Sequence, residues 1–303
     1  SGSGKSYRLY QKIIKESMEQ PEKNYLILVP EQFSMETQKD LVRLHPRKGI
    51  INIDVLSFGR LAYRVFEELG IKQSPILDDT GKNLVLRKMM GKYQKDLSLY
   101  GARLNAPGFV AEIKSVLSEL YQYGIGEKEL KEMLEFSETK PMLKAKLSDL
   151  MIIRKGFEEY MADTYVTKEE LLDVLCKVVE QSKLIKNSVI CLDGFTGFTP
   201  VQYRLLGLLM KCAQMVYVTI TLPCSEYPNR ICGEQELFHL SKMTIAKLGA
   251  LADEVQVKQL PYISIKEEPY RFRNAPALAS LEKNLFRYPY CPYRKMQEEI
   301  SVT

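Results

Sequence analysis

The residues best equipped for chemistry stand at the start of the chain, where Ser1-Gly2-Ser3-Gly4-Lys5-Ser6 matches the last six positions of the pattern G-x-x-x-x-G-K-[ST]. In that pattern the backbone N–H groups of a glycine-rich turn surround phosphate oxygens, the lysine reaches the β/γ oxygens, and the Ser or Thr hydroxyl binds Mg²⁺. Gly2, Ser3, Gly4, Lys5 and Ser6 are therefore the candidate nucleotide-binding residues, with ATP and Mg²⁺ as expected ligands and Ser6 as a metal ligand. The first glycine of the pattern and the strand that should carry the loop would both precede Ser1, so the chain reads as a piece of a longer protein. A Gly/Ser linker ending in lysine is the alternative. The following residues argue against it: 7–20 continue as an amphipathic helix with Tyr10, Ile13, Ile14 and Met18 on one face, as a phosphate loop requires.

A second candidate lies far downstream. The apolar run Ser188-Val189-Ile190-Cys191-Leu192 ends in Asp193, and nucleotide-binding sheets place a carboxylate near Mg²⁺ in this way, opposite the phosphate loop. An aspartate ending a strand is also an ordinary turn residue; the loop upstream favours the metal reading. A third stretch, 262–295, interleaves Tyr270, Arg271, Phe272, Arg273, Phe286, Arg287, Tyr288, Tyr290, Tyr293 and Arg294. Rings beside cations suit single-stranded nucleic acid, and a surface segment packed on the core by its rings explains the pattern equally well.

The elements that must position these groups alternate. Tyr25-Leu26-Ile27-Leu28-Val29-Pro30 is a short apolar run that suits a buried parallel strand, 31–44 reads helical, and 50–56 reads as a strand after the breakers Pro46 and Gly49. A helix through Leu61, Val65, Phe66 and Leu69 is stopped by Gly70. This alternation predicts a parallel sheet with crossover helices and ligands at the strand ends. From 79 to 186 strand signals vanish and helical faces follow one another, with a T-x-x-E capping box at Thr167 and Glu170. The sheet resumes at 188. Thr199 and Pro200 then open a helix, 216–222 is one more strand and 238–251 one more helix. The expected domains are a nucleotide-binding domain of 1–78 and 187–303, interrupted by a helical insertion of 79–186.

Composition sets the outer limits. With 303 residues, 45% apolar and 27% charged, the chain has ordinary globular usage, and a formal charge of +5 permits an anionic partner without requiring one. The six cysteines form no CxxC pair and the two histidines, His45 and His239, are far apart, so spacing argues for no zinc or iron–sulfur site. Cysteines in apolar runs behave as small hydrophobes and, as reduced thiols, point to a cytoplasmic protein. No run approaches the length of a membrane span.

Five segments carry a family resemblance. Gly2-Ser3-Gly4-Lys5-Ser6, Leu28-Val29-Pro30-Glu31-Gln32-Phe33, Leu56-Ser57-Phe58-Gly59-Arg60-Leu61-Ala62, Leu192-Asp193-Gly194-Phe195-Thr196-Gly197-Phe198-Thr199-Pro200 and Leu281-Glu282-Lys283-Asn284-Leu285-Phe286 together resemble the amino-terminal part of AddB, the B subunit of the bacterial ATP-dependent helicase/deoxyribonuclease. The resemblance runs from end to end of the chain. It implies a UvrD-like superfamily 1 helicase fold, in which a RecA-like P-loop sheet is interrupted by an all-helical insertion, with Ser6 and Asp193 near Mg²⁺. It also implies that Gln32, Phe33, Ser57, Phe58 and Arg60 lie in segments similar to the single-strand-contacting motifs of active relatives, Phe33 and Phe58 being equally suited to the core. Active relatives carry D-E-F-Q-D and then a Gln-Tyr pair; here Asp193, Phe195, Gln202 and Tyr203 match, while Gly194, Thr196 and Gly197 replace the Glu, Gln and second Asp. The missing Glu would orient and help deprotonate the attacking water. No G-D-x-x-Q-S-x-Y segment follows 216–222. The expectation is a domain that binds ATP and DNA without being a motor. By the same resemblance the intact protein would pair with a helicase–nuclease A subunit, act in double-strand break repair by recombination, and carry an iron–sulfur cluster only in a carboxy-terminal nuclease domain. Two other readings compete: a scaffold whose P-loop is vestigial, and a P-loop small-molecule kinase.

Overall fold

The structure, a computed structural model, describes residues 2–71, 77–161, 168–223, 227, 228, 230, 233–265, 270–272, 274–286, 288, 289 and 291–294. They divide into two compact units. The first comprises Ser1–Ser57, Ile185–Phe198 and Leu209–Thr303, the second Phe58–Leu184 and Thr199–Leu208.

The first unit is built on four parallel strands in the order β2-β1-β3-β4: β1 (Asn24–Leu28), β2 (Ile53–Leu56), β3 (Ser188–Leu192) and β4 (Met215–Val218). The chain is thus an α/β protein with a parallel sheet. The two inner strands are the most deeply buried: Leu26, Ile27 and Leu28 of β1 and Ile190, Cys191 and Leu192 of β3 are almost completely buried, whereas every residue of the edge strand β4 is only partly so. Covered on both faces, such strands need no polar alternation. Leu28 stands opposite Leu56 on one side and Leu192 on the other, so the three strands end level at their carboxyl ends. Helices α1 (Lys5–Glu19) and α2 (Ser34–Leu44) bury Leu9, Tyr10, Ile13, Ile14 and Leu41 in one cluster with Tyr25, Ile27, Val189 and Cys191. Met18, expected on the same face of α1, is 44% exposed; in this last turn the buried residue is Ser17 instead.

β4 is shorter than the expected 216–222. Its partner β3 ends at Leu192, and after Thr219 donates its N–H to the Leu192 carbonyl (2.9 Å) no strand remains to pair with. Residues 299–303 and Thr167 lie outside the described residues.

The second unit is helical. It contains α3 (Phe58–Leu69), α4 (Asp79–Lys92), α5 (Phe109–Gln122), α6 (Glu127–Phe136), α7 (Pro141–Met161) and α8 (Lys168–Val178), with α3 packed on α8, α4 on α5 and α7, and α6 on α7. Its core joins Leu86, Met89, Met90, Ile113, Leu117, Leu130, Ile153 and Phe157. Gly70 ends α3 in the left-handed conformation (φ 66°), as a helix stop requires. Set against the expected 79–186, the unit ends at Leu184 and also takes in α3 and the first turns of α10 (Pro200–Cys212). Thr199 and Gln202 cap α10 reciprocally: the Thr199 N–H donates to Gln202 Oε1 (2.9 Å) and the Gln202 N–H to Thr199 Oγ1 (3.4 Å).

Candidate functional site

The glycine-rich loop leads directly into α1. Gly2 (φ 75°) and Gly4 (φ 83°) both adopt the left-handed conformation, which only glycine takes without strain. Gly4 caps α1 and its carbonyl accepts the Arg8 N–H (2.9 Å), so the N–H groups of Lys5, Ser6 and Tyr7 lie at the open end of the helix, where the helix dipole is positive. That end can hold an anion. Gly2 through Ser6 are half-buried. Burial pushes the Lys5 ammonium below its ordinary range, and the carboxylates of Asp193 and then Glu282 work against that shift. Lys5 therefore stands within the electrostatic reach of the residue that ends β3.

Asp193 extends β3 by one residue, its N–H donating to the Leu28 carbonyl (3.0 Å), and its side chain is 4% exposed. Both carboxylate oxygens are engaged. The Tyr10 hydroxyl of α1 donates to Oδ2 (2.8 Å), and the Thr219 hydroxyl, just past β4, donates to Oδ1. Thr37 Oγ1 of α2 lies 3.4 Å from the Tyr10 hydroxyl. Burial first, and then the Asp193 charge, push the Tyr10 phenol well above its ordinary range, so it stays a donor. Because a carboxylate oxygen has two lone pairs, each keeps one acceptor position. Ser6 and Asp193 are oxygen donors of the kind Mg²⁺ takes, and a metal that retains its waters can use the remaining acceptor positions. In this sense the residues fit the group.

Three neighbours complete the surroundings. Gly194 is left-handed (φ 79°), with the Pro30 ring 3.6 Å and the Phe33 ring 3.9 Å from the place a Cβ would occupy. The turn Tyr270–Phe272 touches the loop, where Arg271 Cβ is 2.9 Å from the missing Cβ of Gly2 and the Arg271 N–H meets the Gly2 carbonyl at 3.4 Å. Glu282 lies on the helix Pro276–Asn284.

The structure brings Gly2, Ser3, Gly4, Lys5 and Ser6 together where the loop enters α1, with the Asp193 charge acting on Lys5. The residues expected to meet a single strand divide. Gln32 and Phe33 form an exposed turn (Glu31–Phe33) in the first unit, and Ser57 is buried there; in the second unit Phe58 is buried in the apolar face of α3 and Arg60 is exposed. Gln202, which matches the family's Gln-Tyr pair, is engaged in the α10 cap. Sequence reading missed Thr219 and Thr37 altogether and took Tyr10 only as a core ring. Among the described residues no group of three or more His, Cys, Asp or Glu side chains could hold a metal by itself, and no helix is long and apolar enough to cross a membrane.

Four parallel strands with helices packed on them, a glycine loop opening the first helix and an aspartate at the end of an inner strand place the chain among α/β proteins with a parallel sheet. The model of one family within that class, described as ADDB, N-terminal, matches residues 1–282, and the chain belongs to this family. It is 50% identical to the B subunit of the ATP-dependent helicase/deoxyribonuclease of Lachnoclostridium phytofermentans, over 100% of this chain and 27% of that protein. The proteins of the same name from Clostridium kluyveri and Clostridium tetani are 33% and 32% identical, each over 100% of this chain and 26% of their own length. The chain thus spans about a quarter of the length of these curated relatives.

Proposed function

We propose that this chain is the nucleotide-holding, DNA-contacting amino-terminal region of the B subunit of an ATP-dependent helicase/deoxyribonuclease, and that it is not itself a translocating motor. The observation that carries the reading is the loop with left-handed Gly2 and Gly4 that opens α1, in the same unit as the buried Asp193 at the end of an inner parallel strand. On this reading the region has a RecA-like P-loop fold. Gly2, Ser3, Gly4 and the open end of α1 cradle the phosphates of ATP, Lys5 neutralises them, and Ser6 with Asp193 serves Mg²⁺, which when bound spreads the negative charge of the phosphates.

Binding without rapid turnover follows from Gly194. The position has no carboxylate to activate water, and its left-handed backbone disfavours any residue that could supply one. Gln32 and Phe33, exposed beside this turn, and the exposed Arg60 are the proposed contacts to single-stranded DNA. By kinship with these relatives, the whole protein would work in the cytoplasm with a helicase–nuclease A subunit in recombinational repair of double-strand breaks.

A scaffold with a vestigial loop is the second reading, favoured by the two hydroxyls already bonded to Asp193. The test is MgATP binding and turnover by the full-length protein and its Lys5→Ala variant, with and without single-stranded DNA. Binding that the variant loses, with negligible turnover in both, is the expected result. No binding in either moves the assignment to the scaffold, and fast DNA-stimulated hydrolysis dependent on Lys5 defeats the non-motor reading.

A further inference from the structure

Ser6 and Tyr10 are four residues apart on α1 and so share one face. The face that turns the expected metal-binding hydroxyl toward the phosphate site also sends a phenol to Asp193. Tyr10 is 5% exposed, and the neighbouring Thr37 of α2 backs its hydroxyl. Thr219 is equally fixed: its N–H is bonded to the Leu192 carbonyl, directly before Asp193, and its hydroxyl meets the other carboxylate oxygen. The carboxylate is gripped from α1 on one side and from the end of β4 on the other.

On the reading that this chain holds MgATP, we propose that Tyr10 and Thr219 are positioning residues. Their hydroxyls occupy Asp193 so that it meets a bound metal through water rather than directly, and they thereby set how much Mg²⁺ nucleotide binding requires. The physical reason is competition. A hydroxyl donating to a carboxylate oxygen withdraws charge from it and takes a lone pair that a cation would otherwise use. The remaining lone pairs can accept hydrogens from the waters that Mg²⁺ gives up reluctantly.

The experiment measures the Mg²⁺ concentration for half-maximal binding of a fluorescent ATP analogue to the full-length protein and to its Tyr10→Phe and Thr219→Val variants, both close in shape to the original residues. Each variant is expected to need roughly three- to tenfold less Mg²⁺, the scale of one hydrogen bond's net contribution. With Mn²⁺ in place of Mg²⁺, the electron paramagnetic resonance line of the bound ion should change in the variants as a carboxylate enters its inner shell. A merely structural role would move neither readout in that direction. An unchanged or raised Mg²⁺ requirement, or binding indifferent to Mg²⁺, overturns the proposal while leaving Lys5-dependent binding intact. Absence of Lys5-dependent binding in the unsubstituted protein overturns the underlying reading and this proposal together. Should Tyr10→Phe fail to fold, Thr219→Val decides the matter from the other oxygen.

Discussion

Each unit buries one carboxylate to nearly the same depth, and holds it by a different kind of donor. Asp149, on α7 of the helical unit, is 1% exposed and accepts the backbone N–H groups of Ser98 (2.9 Å), Leu99 (2.8 Å) and Tyr100 (2.8 Å), together with the Ser98 hydroxyl (3.0 Å). Asp193 of the sheet unit, 4% exposed, is held at its side chain by the hydroxyls of Tyr10 and Thr219. A backbone N–H can only donate, whereas a hydroxyl can rotate and donate or accept. Asp149, with backbone N–H donors on both oxygens, therefore sits in a cage fitted to a carboxylate, and Asp193 in one whose side-chain donors can both rearrange around a neighbour. The first arrangement fixes a loop; the second suits a group whose surroundings change when a ligand arrives.

The sharpest way to break the comparison is the same isosteric change at both positions. Whichever way the amide of Asp149→Asn turns, its NH₂ meets at least one backbone N–H that cannot accept, and the change is expected to cost about 3 kcal/mol, the upper end of the range for leaving a buried donor unsatisfied. The checks are the urea midpoint of the helical unit and faster hydrogen exchange at the Leu99 and Tyr100 amides. Next in size is Gly194→Ala, beside Asp193. The neighbours at 3.6 and 3.9 Å are ordinary contacts, so the cost is that of the left-handed backbone alone, about 1–2 kcal/mol in a thermal melt. Asp193→Asn should cost less than about 1 kcal/mol, because Tyr10 or Thr219 can turn its oxygen to the new NH₂. It should also weaken the Mg²⁺ dependence of nucleotide binding. A loss at Asp193 as large as that at Asp149 would erase the distinction.

The two carboxylates also differ in how far they could be read from sequence. Asp193 is legible because it ends an apolar run and follows a loop of recognisable spacing, and the parallel strands at 24–28 and 188–192 follow from the apolar runs 25–28 and 189–192. Asp149 is illegible: it lies inside a helical pattern, and its partners are backbone groups fifty residues away whose donors carry no sequence signature. Tyr10 falls between these cases. Its ring fits the apolar stripe of α1, so periodicity accounts for it fully, and nothing local reveals that its hydroxyl meets a residue 183 positions later. The Thr219 hydroxyl likewise becomes visible only once β3 and β4 are paired. Periodicity reports which face is buried; it does not report which polar atoms the fold brings together there.

A third carboxylate tests whether the kind of donor or the depth of burial governs the cost. Glu68 of α3 accepts the backbone N–H groups of Lys183 (2.8 Å) and Leu184 (3.0 Å) at the start of α9 (Lys183–Lys186), and the Ser182 hydroxyl. It shares the backbone donors of Asp149 but is exposed. Partial burial works to raise its affinity for protons, yet the hydrogen bonds from Ser182, Leu184 and Lys183 outweigh it, and the carboxyl lies below its ordinary value of 4.5. A carboxyl depressed in the folded state contributes stability that is present above the unfolded value and is lost as pH falls through the folded one. Glu68→Gln should therefore lower the urea midpoint at pH 7 by the equivalent of a few tenths of a kcal/mol, the low end for a lost helix cap in solvent. The difference from the unsubstituted protein should shrink once the pH drops below 4.5. Donor kind alone would make this loss as large as that of Asp149→Asn. The expected small, pH-dependent loss instead says that a backbone cage becomes exacting only when water is excluded from it, which is the condition Asp149 meets and Glu68 does not.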